Sequence, residues 1–583
     1  MTLDPGQGAL HVFQQLCEQA PEQPFLRVNG IRLNRREFLH QVSVWAGAFS
    51  RQGVGVGDHV ALITPNSMQW CVAFWALVSV GARPVPLDPQ IGGWELENLL
   101  AVIDVKLCLA VTSYRSSPIA ESLSRIRTQL PHPPVLVSLE GSAHGMLSCE
   151  EFLLGACPAR VPSRAVEPEE PLMLACTSGT TGNPKIISVP HAGFVRSQID
   201  MGRVLGASSG DRMLLGMPLY HQGGFGMGLQ VLVSGGESIY EVGFDPQRFL
   251  ETMESERVTV VQLSATLAKL LLSHPQFDSF DLSALRVCYF AGEVLPDRLA
   301  AEFWEKRRKR VINVIGSSET ATMVLWDSLR DSHRSASEYQ PLPFTAVHVG
   351  EAGPSSTSCD ATRRDDPDRE ANATTLEPRS LSWTSENAAQ SFTGVHVGEA
   401  GPNSTGRDAT HCDDPDREAN ATAIEPGSLW VSTDALLLEY FANPKETQRR
   451  LVVKGGRRWF DTEDLVLPLP DGYVRFVGRR KRVIKRGPNL VHPEEVEAFL
   501  LTCPSVAAVA ILREEHELFG ESMVAWIQPA PHQALDRGKL SAFCRGKIAA
   551  YKVPDRFVIV EELSVDIGKI RYQRVGMDEK KNV

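Results

Sequence analysis

The segment Thr177-Ser178-Gly179-Thr180-Thr181-Gly182-Asn183-Pro184-Lys185 gathers glycines, hydroxyls and a lysine directly after the apolar run 172–175. Two glycines let backbone N–H groups converge on oxygens, the hydroxyls add donors, and the lysine neutralises charge, so the segment reads as a phosphate-binding loop. A Walker loop needs four residues between its first glycine and Gly-Lys; that spacing is missing here, which excludes a P-loop NTPase. From composition alone, the alternative is a surface loop that happens to be rich in Ser, Thr and Gly.

These residues need elements to position them. From about residue 24 to 340, short apolar runs alternate with helical stretches: 59–64 reads as a strand, 68–81 as a helix and 83–87 as a strand. Strand and helix pairs recur at 259–263 with 265–273 and at 286–290 with 296–304. That rhythm predicts βαβ units and an α/β fold. Strands follow around 459–460 and 473–477, and the pattern then changes at the basic stretch 478–486. From Pro493 a helix 493–501, strands 506–512 and 523–528 and a helix 536–548 form a smaller α+β unit, so a boundary is expected near 478/479.

Composition narrows the classes of function. The chain has 583 residues, 59 Lys plus Arg against 70 Asp plus Glu, and 43% hydrophobic residues, which suits a protein of at least two domains. A net charge of -11 without a basic footprint argues against nucleic acid as a partner. The run Lys306-Arg307-Arg308-Lys309-Arg310 reads as a solvated helix end. The 11 cysteines form no CxxC pair, so neither a disulfide scaffold nor a zinc site is indicated. The most apolar stretch, 70–82, is shorter than the ~20 residues a transmembrane helix needs. With no signal-peptide pattern at the start, a cytoplasmic location is expected.

Residues 344–381 recur as 392–429 at an offset of 48, with 29 of 38 positions identical, which marks a tandem duplication. Each copy is rich in polar residues and has little to bury, so an elongated loop insertion is expected over about 344–429. Only one of the copies' Val-His-Val triplets, 347–349 or 395–397, is expected to fill the strand position before Leu429, the other looping out.

The segment TSGTTGNPK resembles the signature of the adenylate-forming ANL superfamily, which comprises acyl- and aryl-CoA synthetases, peptide-synthetase adenylation domains and beetle luciferases. Further resemblances follow in order: Met217-Pro218-Leu219-Tyr220-His221, Ala291-Gly292-Glu293, Gly316-Ser317-Ser318-Glu319, Asp461-Thr462-Glu463-Asp464-Leu465, Gly478-Arg479-Arg480-Lys481 and Gly568-Lys569. The resemblance implies a large N-terminal adenylation domain over 1–478 and a small mobile α+β lid over 479–583, hinged near Lys481. It implies ATP bound by Thr177, Ser178, Gly179, Thr180, Thr181, Gly182, Lys185, Gly292, Glu293, Ser318, Glu319, Asp464, Arg479 and Lys569. Glu319 would hold Mg2+, Asp464 the ribose hydroxyls, Arg479 the ribose or phosphate, and Lys569, His221 and Lys185 would be catalytic.

The implied reaction is activation of a carboxylic acid as acyl-AMP followed by transfer to a thiol. The thiol would belong to CoA, admitted past Gly487, or in the alternative to the phosphopantetheine of an acyl carrier protein. A nucleotide-binding pseudoenzyme is a further alternative. The chain departs from the family at Ile315, where an aromatic ring usually packs on adenine, and at Glu463, usually glycine. The stretch Gln222-Gly223-Gly224-Phe225-Gly226-Met227-Gly228 offers no carboxylate to an ammonium, so an apolar, glycine-opened pocket for an aliphatic or aryl acid is expected.

Overall fold

The computed structural model describes residues 8–159, 170–177, 185–292, 295–303, 307–321, 323–329, 335–342, 345–350, 395–397, 426–469, 472–480, 483–487, 489–516, 520–530, 533, 535–566 and 569–574. The βαβ rhythm builds two parallel sheets. In one, Arg83–Leu87, His59–Ile63, Val105–Ala110, Val135–Ser138 and Leu147–Ser148 lie side by side. In the other, Glu237–Tyr240, Arg212–Leu215, Val260–Leu263, Val287–Phe290 and Arg310–Gly316 form the parallel heart of a 15-stranded sheet. That sheet turns antiparallel at Met323–Leu329 and runs on through Glu338–Pro341, Val474–Arg479 and Arg457–Pro468 to Gly427–Ser432.

The helix Met68–Val80 shows why an apolar run need not meet a membrane. Ser67 caps it by accepting from Trp70 N–H, Gly81 ends it at φ 80°, and nearly every residue between is buried. Trp75 stacks on Phe13 at 4.3 Å, so the helix is apolar all round because protein covers it all round. Among the described residues, no helix is long and apolar enough to cross a membrane.

The duplication departs from expectation in one respect. The first copy's Ala346–Val349 pairs antiparallel with Gly427–Ser432 and fills the slot. The second copy's Val395–Val397 does not leave the sheet; it pairs parallel to the first, His396 beside His348, as an added edge strand. A Val-His-Val triplet keeps its strand propensity in both copies, and the edge of the first offers unpaired backbone groups to the second. The remainder of both copies lies outside the described residues.

Past the large sheet, Ile484–Arg486 and Asn489–Val491 form a hairpin in a second sheet with Gly520–Pro529, Arg556–Asp566 and Lys569–Arg574. The expected helix 536–548 is shorter, Arg537–Cys544, because Gly546 adopts φ 69° and turns the chain. A separate core around Phe499, Ile511, Ile527 and Phe557 holds this unit together.

Candidate active site

The hairpin Pro171–Thr177 and Lys185–Pro190 brings Thr177 opposite Lys185, so the phosphate-loop segment is closed at its base. Ser178, Gly179, Thr180, Thr181 and Gly182 lie outside the described residues, as do Glu293 and Lys481. Lys185 is buried, donates to Glu446 Oε1 at 2.8 Å and lies 5.1 Å over the Tyr440 ring. Burial lowers its pKa, against the opposing pull of Glu319 and Glu446.

Glu319 sits in a single turn, Ser318–Thr320, that follows the strand Arg310–Gly316. Its backbone carbonyl accepts from Leu437 N–H at 2.7 Å, and Tyr440 donates its hydroxyl to Glu319 Oε1 at 3.0 Å. Burial works against its charge, yet Arg450 and Lys185 hold its carboxyl below the usual range. The site therefore keeps a half-buried carboxylate ionised beside two cations.

Arg450 is the second cation, and nothing in the sequence marked it. It is buried over the Phe460 ring, with Nε donating to the Asp461 carbonyl at 2.7 Å and Nη1 to Glu463 Oε2 at 2.6 Å. Glu463 adopts φ 59°, the left-handed backbone that glycine takes without penalty. A glutamate is tolerated because Arg449 and Arg450 each hold one of its oxygens. The backbone bend that glycine would make is thus kept, at some cost, with two ion pairs in its place. Beside it, Asp464 is buried and pairs in register with Arg479, whose side chain is not described.

These groups line one cavity of about 330 Å³. Gly292, at φ 89°, and Ile315, Gly316, Ser317 and Ser318 form one wall, so an aliphatic side chain stands where an aromatic ring was absent from the sequence. His221 precedes the helix Gln222–Leu232 and also lines the cavity, where its ring is exposed to the cavity space; the surrounding protein desolvates it and lowers its pKa, which favours the neutral imidazole. Cys176 lines it too, its thiol pushed up to about 12 by burial, which removes it as a thiolate nucleophile.

The apolar, glycine-opened lining expected from residues 222–228 also carries amides. Gly223, Gly226 and Met227 do open it, but the glutamines Gln198, Gln222 and Gln230 share the lining. Gln230 donates to Gln198 Oε1 at 3.0 Å, and Gln198 in turn donates to the Ala321 carbonyl at 3.3 Å. Their separation in the chain hid them, since only the packing of two helices brings residues 198 and 230 together.

The small domain contributes part of the cavity lining. Val483, Lys485, Asn489 and His492 reach it, together with Tyr551 and Lys552. Gly487, at φ 59°, lies in the same hairpin. Lys569 begins the strand Lys569–Arg574 at the opposite edge of that sheet from the hairpin, and its side chain is not described. This arrangement therefore brings Lys185, Glu319, Asp464 and His221 together with the hairpin and sets the Lys569 strand apart from them.

Residues 13–355 match the AMP-binding enzyme family and residues 495–566 its C-terminal domain. A putative acyl-CoA synthetase of Bacillus subtilis, YngI, is 26% identical over 91% of this chain and 88% of its own length. A feruloyl-CoA synthase of Amycolatopsis is 26% identical over 95% of each chain, and an indoleacetate–CoA ligase of Aromatoleum aromaticum is 25% identical over 90% and 89%. Among solved structures, an o-succinylbenzoate CoA synthetase of Bacillus subtilis bound to a product analogue superposes with TM-score 0.71 at 19% identity, covering 95% of both chains. The amide bond synthetase McbA of Marinactinospora thermotolerans gives 0.72 at 21% identity, covering 95% of this chain and 96% of its own. With its two-domain α/β fold, its ordered motifs and a match over more than half its length, the chain belongs to the AMP-binding, adenylate-forming enzyme family.

Proposed function

We propose that this chain is an AMP-forming acid–CoA ligase that activates a carboxylic acid as acyl-AMP and then passes the acyl group to the thiol of CoA. The observation that carries this reading is that Lys185, Glu319 and Arg450 line one cavity together with Gly223, Gly226 and Met227 and with Lys485 and Asn489 of the small-domain hairpin. The names of the relatives, acyl-CoA synthetase and aryl-acid CoA ligases, support the same chemistry.

A carboxylate cannot expel oxide, so an oxygen of the acid attacks the α-phosphorus of ATP and the bond to the bridging oxygen breaks, releasing pyrophosphate. Negative charge spreads over the phosphorus in the transition state, where fixed cations in a closed site stabilise it best. Lys185, Arg450 and the loop 177–185 take that role. A Mg2+ ion needs few protein ligands when phosphates supply the rest, so one ionised, half-buried carboxylate, Glu319, fits it. Bound there, the ion would add charge neutralisation at the phosphates. In the second step the sulfur attacks the acyl carbon, the bond to AMP breaks, and the thiol proton leaves to solvent. His221, neutral and beside the acid pocket, orients the carboxylate, and Gly487 leaves room for the pantetheine.

The test is acid-dependent exchange of pyrophosphate into ATP across alkyl, aryl and amino acids, followed by CoA thioester formation with the acids that exchange. Release of ADP, or no exchange with any acid, would overturn the reading.

A further inference from the structure

Four consecutive residues of the large domain, Gly92-Gly93-Trp94-Glu95, make an extended set of contacts with the small domain. Gly93 N–H donates to the Gly546 carbonyl at 3.0 Å and Trp94 N–H to the Lys547 carbonyl at 3.2 Å. These are N–H groups of the first turn of the helix Gly93–Val102, which have no partner within the helix. Trp94 packs into the small domain's own core, its ring 5.5 Å from that of Phe499. Glu95 Oε2 accepts from Gly92 N–H and from Ala549 N–H, both at 2.8 Å, and Glu95 Oε1 takes the Lys552 ammonium at 2.5 Å. Lys552 is held from its other side by Glu495 at 2.6 Å, and all three charged groups are buried.

Sterically the fit is equally tight. A Cβ on Gly92 would stand 2.0 Å from the Lys547 carbonyl oxygen, and the three nearest atoms all belong to the small domain. Gly92 itself has φ -80° and ψ 158°, which any residue adopts. Glycine is therefore required here by the docked small domain and not by the local backbone.

The geometry points to Gly92–Glu95 as a dock, with Glu95 as its positioning residue, that holds the small domain in the orientation used for thioester formation. It rests on the ligase reading given above. In the docked arrangement Lys485 and Asn489, from the hairpin that carries Gly487, line the cavity, while the strand that begins with Lys569 occupies the far edge of the small sheet. The two half-reactions then need different placements of one sheet, and the dock stabilises one of them. A buried Lys552 between two carboxylates suits such a contact, because misplacement leaves a charge buried without its partner.

Two variants of the full chain test this: Gly92→Ala, which blocks the dock by one methyl group, and Glu95→Gln, which removes the charge. Hydrogen exchange of the peptide containing Gly93 and Trp94 reports docking without reference to activity. In both variants that peptide is expected to lose protection while the Met68–Val80 helix keeps its own. Thioester formation from supplied acyl-AMP and CoA is expected to fall at least tenfold, and pyrophosphate exchange to stay within twofold. Unchanged protection in Gly92→Ala would refute the dock whatever the enzyme does. Lost protection with thioester formation intact, or with both half-reactions reduced alike, would overturn the positioning role. Absence of exchange in the unmodified protein would instead count against the ligase reading and leave the dock to be decided by exchange protection alone.

Discussion

The Lys185 ammonium and the Glu446 carboxylate meet at 2.8 Å although 261 residues separate them in the chain. Glu446 thus favours the charged form of Lys185 against its desolvation, and it is itself held down to about 2 by Arg449 and Lys185 against its own burial.

Glu446→Gln carries two consequences of opposite sign on the pH axis. Lys185 loses one of the carboxylates that oppose its desolvation, so its pKa drops further and the alkaline limb of pyrophosphate exchange moves towards neutrality. At the acid end, a carboxyl held at about 2 against 4.5 when unfolded contributes stability that is complete above pH 4.5 and lost as pH falls towards 2. The variant is expected to lose less stability over that interval than the unmodified chain. Profiles of exchange rate and of chemical denaturation against pH check both; superimposable curves would refute the pairing.

Glu463 combines a left-handed backbone with two guanidinium partners. Glu463→Ala loses the partners and keeps the backbone penalty, whereas Glu463→Gly loses the partners and is relieved of it. Glycine is therefore expected to leave the protein more stable than alanine by about 1 kcal/mol, the cost of an L-residue in that region. Thermal or denaturant unfolding of the pair decides it, and alanine equal to glycine would count against strain at this position.

Gly226 lines the cavity where we propose that the acid binds, and a Cβ there would touch Gln198 and Phe194 at 3.4 Å. Gly226→Leu is expected to shift acceptance towards smaller acids, raising KM for the larger ones by tenfold or more. Unaltered selectivity across an acid series would place the acid elsewhere.

Lys569 is proposed to act in adenylation alone. Lys569→Ala should reduce pyrophosphate exchange by about a hundredfold, roughly 2.7 kcal/mol of barrier, and change thioester formation from supplied acyl-AMP by less than threefold. Equal loss in both steps would contradict that assignment.

Deleting residues 344–391 removes one repeat and lets the second Val-His-Val triplet take the place of the first beside Gly427–Ser432. The outer edge strand is then gone and the inner pairing is retained, so thermal stability and exchange activity are expected to change little. A folded deletion variant with more than tenfold loss of activity would show that the repeat serves the site.

The sequence alone determined what depends on neighbours along the chain. The strand–helix alternation, the Arg83–Leu87 strand and the Pro493–Leu501 helix follow from local apolar periodicity, and the phosphate-loop segment and the order of motifs follow from residue type and spacing. Periodicity tells which face of an element is buried but not against what. Tertiary structure alone decided that Lys185 meets Glu446 and Tyr440, that Arg450 supports Glu319, and that Gln198 and Gln230 line the cavity. It also decided that Glu463 could replace a glycine, since the compensating arginines come from a helix that precedes it by a strand. The reason is common to all of them: the free energy of a buried charge or a strained backbone is set by partners that only sheet register and domain docking bring within a few ångströms.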